Sequence, residues 1–267
     1  MSSRRDPDAD GRRRPDPNSV LARAATILDA FDGSKPVLSL SELAIKAGLP
    51  KSTVHRFAEQ LLDLGWFERA PGGYRVGIRL FEVGGLADRR NRIRERAAPH
   101  LHQLASSTGT AVHLGVLDHG EVVYLEKLPA RGLELPTRDG GRMPAHCTAL
   151  GKVMLAFAPA EETERLISAG LEPRTAATIV DADRLRAELA AVRRAGVAFD
   201  REEACRGVAC VAAPVAAAAT AGLGVALSAP PPQADASRAA DISNGTAMRT
   251  AGGLGIGSPG TILARMT

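Results

Sequence analysis

The sequence has no hydrophobic run long enough to span a membrane and too few cysteines for a disulfide framework. A membrane-spanning helix needs roughly 18 or more consecutive apolar residues, and no segment of the chain reaches that length. The 3 cysteines are an odd number without disulfide-like spacing, which is typical of proteins from a reducing compartment. No apolar segment follows the arginines near the start, so a secretory signal is not indicated. These absences predict a cytoplasmic protein that does not enter a membrane.

The chain also lacks a strong excess of either charge, with 34 Lys and Arg against 30 Asp and Glu. Residues 1–17 mix both signs with proline and glycine, which predicts a disordered tail. Residues 18–94 hold twelve basic and eight acidic side chains, an excess of four that equals the net charge of the chain. A basic excess within a compact unit can attract phosphate. A solvated surface would show the same charges, so charge alone does not decide.

The first part of the chain shows the spacing of three short amphipathic helices. The first is predicted to be capped within residues 18–19. The second begins at Ser39, whose S-x-x-E spacing to Glu42 forms a capping box, and Gly48 stands where a left-handed residue would end it. The third opens at Pro50, where a missing N–H costs nothing. Two short helices joined by a tight glycine-containing turn predict a helix-turn-helix.

The start of the third helix carries the polar side chains that such a motif presents to the major groove. The DNA contacts predicted there are Lys51, Ser52, Thr53, His55 and Arg56. Two short strand-like runs around Ala-Pro-Gly-Gly then predict a β-hairpin, which forms a wing behind the helix-turn-helix. From the wing we expect DNA contacts by Gly73, Tyr74 and Arg75. Small helical bundles that do not bind DNA show the same helical pattern, so a purely structural role is the alternative.

Five segments in order resemble one family, the IclR family of bacterial transcriptional regulators. They are LSELAIKAGLPKSTVHRFAEQLLDLGWFER, YRVGIRLFEVGGLA, HCTALGKVMLA, AFDREEACRGVACVAAPV and GVALS. Each segment alone is moderately specific, whereas all five in this order and spacing are strongly specific. The resemblance covers residues 19–228.

The resemblance implies a two-domain α+β protein. A winged helix-turn-helix is expected over residues 18–78, a linker helix over 79–107 and a GAF-like α+β effector-binding domain over 108–230. Period-two patterns after Thr110, interspersed with amphipathic helices, agree with antiparallel strands that carry helices mostly on one face. In the family the linker helix helps to pair two DNA-binding domains. Residues 231–267 diverge from the family pattern and are weakly helical.

The resemblance also implies an effector site in the second domain. The matched positions are Ala149, Leu150, Asp200, Cys210 and Ser228, and the family's usual effector is a small organic acid. The start of the helix at Ala149 offers N–H groups and partial positive charge, which suit a carboxylate, and His146 beside it can add a donor. For Asp200 a strand-end cap, and for Cys210 simple core filling, are the alternatives. Pro230 stands where the family places a second serine, which puts Ser228 in question.

An enzyme is the less favoured interpretation. A phosphate-binding loop at ALGK would need glycine five residues before Gly151 and a hydroxyl residue after Lys152, and His146 and Val153 occupy those positions. Cys147 is next to His146, but adjacent residues seldom project into one site, and no G-x-S-x-G elbow is present.

A metal site is not predicted either. Cys205 and Cys210 lack a second ligand pair at metal-binding spacing, so buried cysteines are the simpler interpretation. We therefore predict a ligand-responsive DNA-binding regulator without catalytic residues, metal or cofactor. It is expected to bind a palindromic operator as a homodimer or homotetramer. A constitutive DNA-binding protein with a structural second domain, or an enzyme with an accessory DNA-binding domain, are the alternatives.

Overall fold

The computed structural model describes the chain in four stretches. They are residues 16–17, 19–86, 88–215 and 222–230, with the side chains of 88–91 left out. The predicted tail lies outside these stretches except for residues 16–17, and the divergent segment 231–267 lies wholly outside them. The chain divides into two compact units, residues 1–91 and 92–267, which are described separately below.

The N-terminal unit contains the three predicted helices, the hairpin and one further helix. In chain order its elements are α1 (Val20–Asp29), α2 (Leu40–Ala47), α3 (Lys51–Asp63), β1 (Phe67–Ala70), β2 (Gly73–Val76) and α4 (Ile78–Gly85). The strands β1 and β2 pair antiparallel, and Leu38 forms a bridge to Tyr74 at the hairpin's edge. Helix α2 precedes α3 with only three residues between them, so the predicted helix-turn-helix and wing are confirmed.

Local sequence signals set the ends of these helices as expected. The Ser19 hydroxyl accepts the Ala22 N–H at the start of α1. Ser39 and Glu42 form both hydrogen bonds of the capping box at the start of α2. Gly48 ends that helix with φ 62°, in the left-handed region that glycine adopts readily. A shared apolar core then holds the unit together; its largest fully buried members are Ile27, Leu38, Leu43, Val54 and Phe67.

The predicted linker helix is two helices in the structure. Helix α4 ends at Gly85, and α5 runs from Asp88 to Thr108. The Gly84-Gly85 pair explains the difference, because glycine costs about 1 kcal/mol relative to alanine within a helix. Pro99 lies inside α5.

The C-terminal unit is built on a six-stranded antiparallel sheet with strand order β5-β4-β3-β8-β7-β6. Its strands are β3 (Ala111–Asp118), β4 (Glu121–Leu128), β5 (Arg142–Pro144), β6 (Ala198–Arg201), β7 (Ala209–Pro214) and β8 (Leu223–Ala229). Its further helices are α6 (Ala149–Phe157), α7 (Ala160–Ala169) and α8 (Ala182–Ala195). The segment before Pro144 was expected to be strand-like throughout, but only Arg142–Pro144 pair with β4, because Pro136 and Gly140-Gly141 interrupt the rest.

Helices cover both faces of this sheet unequally. Side chains of α6, α7 and α8 pack with one set of strand residues, including Tyr124, Ala212 and Ala226. Ala97 and Leu101 of α5 pack with the alternate set on the other face. The expectation of helices mostly on one face is confirmed. Within the described residues, no helix is both long and apolar enough to cross a bilayer.

Candidate functional site

The first two turns of α3 present a polar surface to solvent. Lys51, Ser52, His55 and Arg56 are exposed and Thr53 is half-buried, whereas Val54, Phe57, Ala58 and Leu61 face the core. Neither Lys51 nor Arg56 has an acidic partner in the part of the chain that the structure describes. Their charges are therefore available to an anion outside the protein.

Glu59 connects this helix to the wing. The side chain of Arg69 donates to both carboxylate oxygens of Glu59, at 2.7 and 3.0 Å. Nδ1 of His55 lies 3.6 Å from the same carboxylate. The exposed face of α3 and strand β1 are thus held together by one shared acidic residue.

The wing separates its three predicted DNA contacts. Arg75 is exposed and pairs with Glu68 across the hairpin at 2.6 Å. Tyr74, in contrast, is 5% exposed, and its ring packs 6.1 Å from that of Phe67. The prediction of Tyr74 as a surface contact is corrected by strand alternation, since neighbours in a strand point to opposite faces. At Gly73 a Cβ would lie 2.1 Å from the Leu38 carbonyl oxygen, so close backbone approach requires glycine there.

The C-terminal unit encloses a cavity between the sheet and the start of α6. Its empty space is about 440 Å³, part of it open to solvent. Five of the six predicted effector contacts line it: Ala149, Leu150, Asp200, Cys210 and Ser228. Gly115 and Gly224 face Leu150, and a Cβ at either would approach its methyl groups to 3.3 and 2.9 Å, respectively.

Sheet register explains why three of these residues meet. Asp200 is directly opposite Cys210, and Cys210 is directly opposite Ser228. Directly paired residues project from the same face of a sheet, so the three side chains form a row across β6, β7 and β8. The Cys210 Sγ and Ser228 Oγ atoms are 3.0 Å apart. Burial raises the pKa of the Cys210 thiol to about 12, so it stays protonated.

Asp200 combines the two roles that were considered for it. Its Oδ1 accepts the N–H groups of Glu203 and Ala204, at 2.7 and 3.3 Å, so it caps the turn after β6. It also lines the cavity. Burial raises the pKa of the Asp200 carboxyl to about 7, in opposition to those two hydrogen bonds, which lower it.

The start of α6 turns two free N–H groups toward the cavity. The Thr148 hydroxyl caps the helix by accepting from Gly151 N–H at 3.1 Å. The N–H groups of Ala149 and Leu150, both cavity-lining residues, have no acceptor among the residues the structure describes. Gly151 permits close packing rather than phosphate binding, because a Cβ there would lie 2.2 Å from the Ala145 backbone. The helix start can therefore accept one anionic group.

His146 is not brought to the cavity. Its side chain is buried elsewhere, with Nε2 3.0 Å from the Glu172 carbonyl oxygen. Burial lowers its pKa, which favours the neutral ring. The expectation that His146 adds a donor to the effector site is therefore corrected: its ring faces Glu172 instead.

Sequence reasoning missed three polar residues at the cavity. His113 Nε2 lies 3.0 Å from Thr137 Oγ1, and its Nδ1 lies 3.4 Å from Ser228 Oγ. The Tyr124 ring is 5.2 Å from the His113 ring. Burial lowers the pKa of His113 to about 4, so its ring is neutral. A histidine within the otherwise apolar AVHLGV strand was the available signal, whereas Thr137 lies in a loop and gave none.

Two family models match the chain. One, described as the IclR helix-turn-helix domain, matches residues 20–71. The other, described as the bacterial transcriptional regulator IclR C-terminal domain, matches residues 87–249, past the last described residue. The chain belongs to the IclR family. It therefore has a DNA-binding helix-turn-helix and a C-terminal effector domain, and the expected two-domain α+β fold is confirmed.

Named relatives agree with this assignment. The HTH-type transcriptional regulator XynR of Escherichia coli is 36% identical over 199 residues, which cover 73% of this chain and 79% of XynR. The glycerol operon regulatory protein of Streptomyces coelicolor is 34% identical over 202 residues, covering 73% and 78%. These relatives are regulators of transcription rather than enzymes.

Solved structures share the fold. An IclR homologue from Microbacterium hydrocarbonoxydans, complexed with 4-hydroxybenzoate, aligns with a TM-score of 0.73 and 28% identity, over 85% of this chain and 95% of that one. The IclR protein of Thermotoga maritima aligns with a TM-score of 0.63 and 30% identity, over 84% and 92%.

Proposed function

We propose that this IclR-family regulator binds a specific operator through α3 and the wing, and that a small organic acid in the C-terminal cavity controls this binding. The observation that carries the proposal is the cavity itself. It brings two unpaired helix N–H groups to the same space as the Asp200, Cys210 and Ser228 row. No residue of the DNA-binding surface would need to change for such a ligand to act.

The proposed DNA contacts follow the exposure of α3. Arg56 carries a planar guanidinium that can donate two hydrogen bonds to guanine in the major groove, and Lys51 can bind a phosphate. Ser52, Thr53 and His55 complete the polar surface, and the wing adds Arg75 and the backbone of Gly73. Tyr74 is omitted because its ring lies in the core.

We further propose that two copies pair through α4. Ile78, Phe81 and Leu86 of this segment are 61%, 77% and 80% exposed, although large apolar side chains are usually covered. Pairing would bury them and present two α3 helices to two half-sites, which is why a palindromic operator is expected. Two such dimers would make the tetramer that remains the alternative assembly.

The acid can act only if it binds the DNA-competent and DNA-incompetent arrangements with different affinity. The cavity suits an acid of modest size, because its walls are largely apolar while α6 offers one anion-binding end. If the second domain were only structural, no acid would alter DNA affinity.

Selection from a random duplex library tests both parts of the proposal. The protein should enrich a palindromic sequence, and an active acid should change the affinity for that enriched duplex by roughly 5-fold or more. An Arg56→Ala variant should enrich the same sequence poorly, whereas Arg186→Ala, on the surface of α8, should behave as wild type. Enrichment of no sequence by the wild type would contradict the proposal.

A further inference from the structure

We propose that the cavity selects a monocarboxylic acid that also bears a hydroxyl group, and that Asp200 rejects acids with a second negative charge. This inference rests on the proposed function, because it names the chemical class of the effector for the same site. It follows from the charges that line the cavity and from two polar side chains that the fold leaves incompletely bonded.

The cavity has one end for a carboxylate. No lysine or arginine is among its lining residues within the described part of the chain. The nearby Lys127 donates instead to the carbonyl oxygens of Leu135 and Thr137, at 3.2 and 2.6 Å, and so fixes the loop that forms one wall. The unpaired N–H groups of Ala149 and Leu150 are then the remaining anion site, which suits one carboxylate rather than a dicarboxylate or a phosphate ester.

A second polar position is formed by Asp200 and Tyr124. Asp200 is 2% exposed, and its backbone hydrogen bonds use Oδ1, while its other neighbour is the thiol of Cys210, a weak donor. Tyr124 is 5% exposed, lines the cavity, and has no hydrogen-bond partner for its hydroxyl among the described residues. The fold thus leaves one strong acceptor and one donor facing the same space.

A ligand hydroxyl is the group that satisfies both. It can donate to Asp200 and accept from Tyr124, since a hydroxyl has one donor and two acceptor sites. An ammonium group would pair with Asp200 but could not accept from Tyr124. A second carboxylate could accept from Tyr124 but would be repelled by an ionised Asp200.

The test compares two matched series of acids with the full chain by isothermal titration calorimetry at pH 8. The aromatic series is 4-hydroxybenzoate, benzoate and terephthalate, and the aliphatic series is 4-hydroxybutyrate, butyrate and succinate. In the series that fits the cavity, the hydroxy acid should bind roughly tenfold more tightly than the parent acid, because the parent leaves buried polar groups unpaired. The dicarboxylate should bind most weakly.

Two variants separate the contributions. In Asp200→Asn, which keeps the shape and removes the charge, the dicarboxylate should gain affinity relative to the hydroxy acid. In Tyr124→Phe, the hydroxy acid should fall toward the parent acid, while the parent acid is unchanged. Asp183→Asn, at an exposed position of α8, is the matched control and should rank all acids as wild type does.

The outcomes distinguish this inference from the proposed function. If a dicarboxylate binds wild type as tightly as the hydroxy acid does, or if Asp200→Asn leaves the ranking unchanged, the inference is wrong and acid-controlled DNA binding still stands. If no acid of either series binds, both the inference and the proposed acid effector are contradicted. Should Asp200→Asn fail to fold, the wild-type ranking and Tyr124→Phe still decide.

Discussion

Replacing Lys152 by methionine is expected to destabilise the C-terminal unit, because the change strands a buried carboxylate. The Lys152 side chain is 0% exposed, and its Nζ lies 2.6 Å from Glu203 Oε1 and 3.1 Å from Glu188 Oε1. Glu203 is 7% exposed, and its Oε2 has no hydrogen-bond partner among the residues described. Lys152 is therefore the main compensation for the Glu203 charge.

The expected magnitude follows from which partner is left behind. Removing one member of a buried ion pair costs about 3–5 kcal/mol, because the other charge stays desolvated. Glu188 is 29% exposed and retains contact with water, so only Glu203 is stranded. We expect the lower end, about 3 kcal/mol. In a unit of this size that lowers the Tm by roughly 6–12 °C.

Urea unfolding followed by circular dichroism measures the effect. The double variant Lys152→Met/Glu203→Met is the matched control, since replacing a whole buried pair by apolar side chains is often neutral. It should recover most of the stability that the single variant loses. A single variant that loses less than about 1 kcal/mol, as an exposed pair would, would refute the reasoning. A double variant less stable than the single one would refute it as well.

Three further predictions concern DNA binding, pH and assembly. Arg56→Ala should lose about 1–3 kcal/mol of operator affinity by fluorescence anisotropy, and equal binding would remove Arg56 from base recognition. Asp200, whose pKa is raised to about 7, should cost stability progressively from about pH 4 to pH 7. Asp200→Asn should therefore gain up to about 4 kcal/mol on wild type across that range in urea unfolding. His113, with its pKa lowered to about 4, gives the opposite slope in both proteins, so the difference between them is decisive; a constant difference contradicts the prediction. Phe81→Lys should shift the protein toward monomer in sedimentation velocity, and an unchanged coefficient would contradict pairing through α4.

Local sequence rules were sufficient for the N-terminal unit. The Ser39–Glu42 capping box and Gly48 act within four residues of the helix ends they define, so their effect is visible in the sequence. Tyr74 shows where the reasoning was incomplete. Arg75 and Tyr74 are neighbours in a strand and cannot both face outward, so placing Arg75 at the surface already implied that Tyr74 lies inside.

The cavity depends on long-range pairing, which residue spacing does not encode. Asp200, Cys210 and Ser228 were found through the family resemblance, and the register of β6, β7 and β8 explains their meeting. Tyr124 was missed because its facing residue is set by a register shift between Leu114 and Gly115. That irregularity follows from the packing of the whole sheet rather than from any local motif.

The most direct test of the central claim is fluorescence anisotropy of the full chain on the DNA upstream of its own coding region. Scrambled DNA of the same composition serves as the reference, and both are titrated across a salt series. Binding to nonspecific DNA weakens steeply with salt, so we expect a preference for the upstream DNA that persists as salt rises and that an acid of the matching class alters. Equal binding to both duplexes, lost together as salt rises and unchanged by every acid, would contradict a ligand-controlled, sequence-specific regulator.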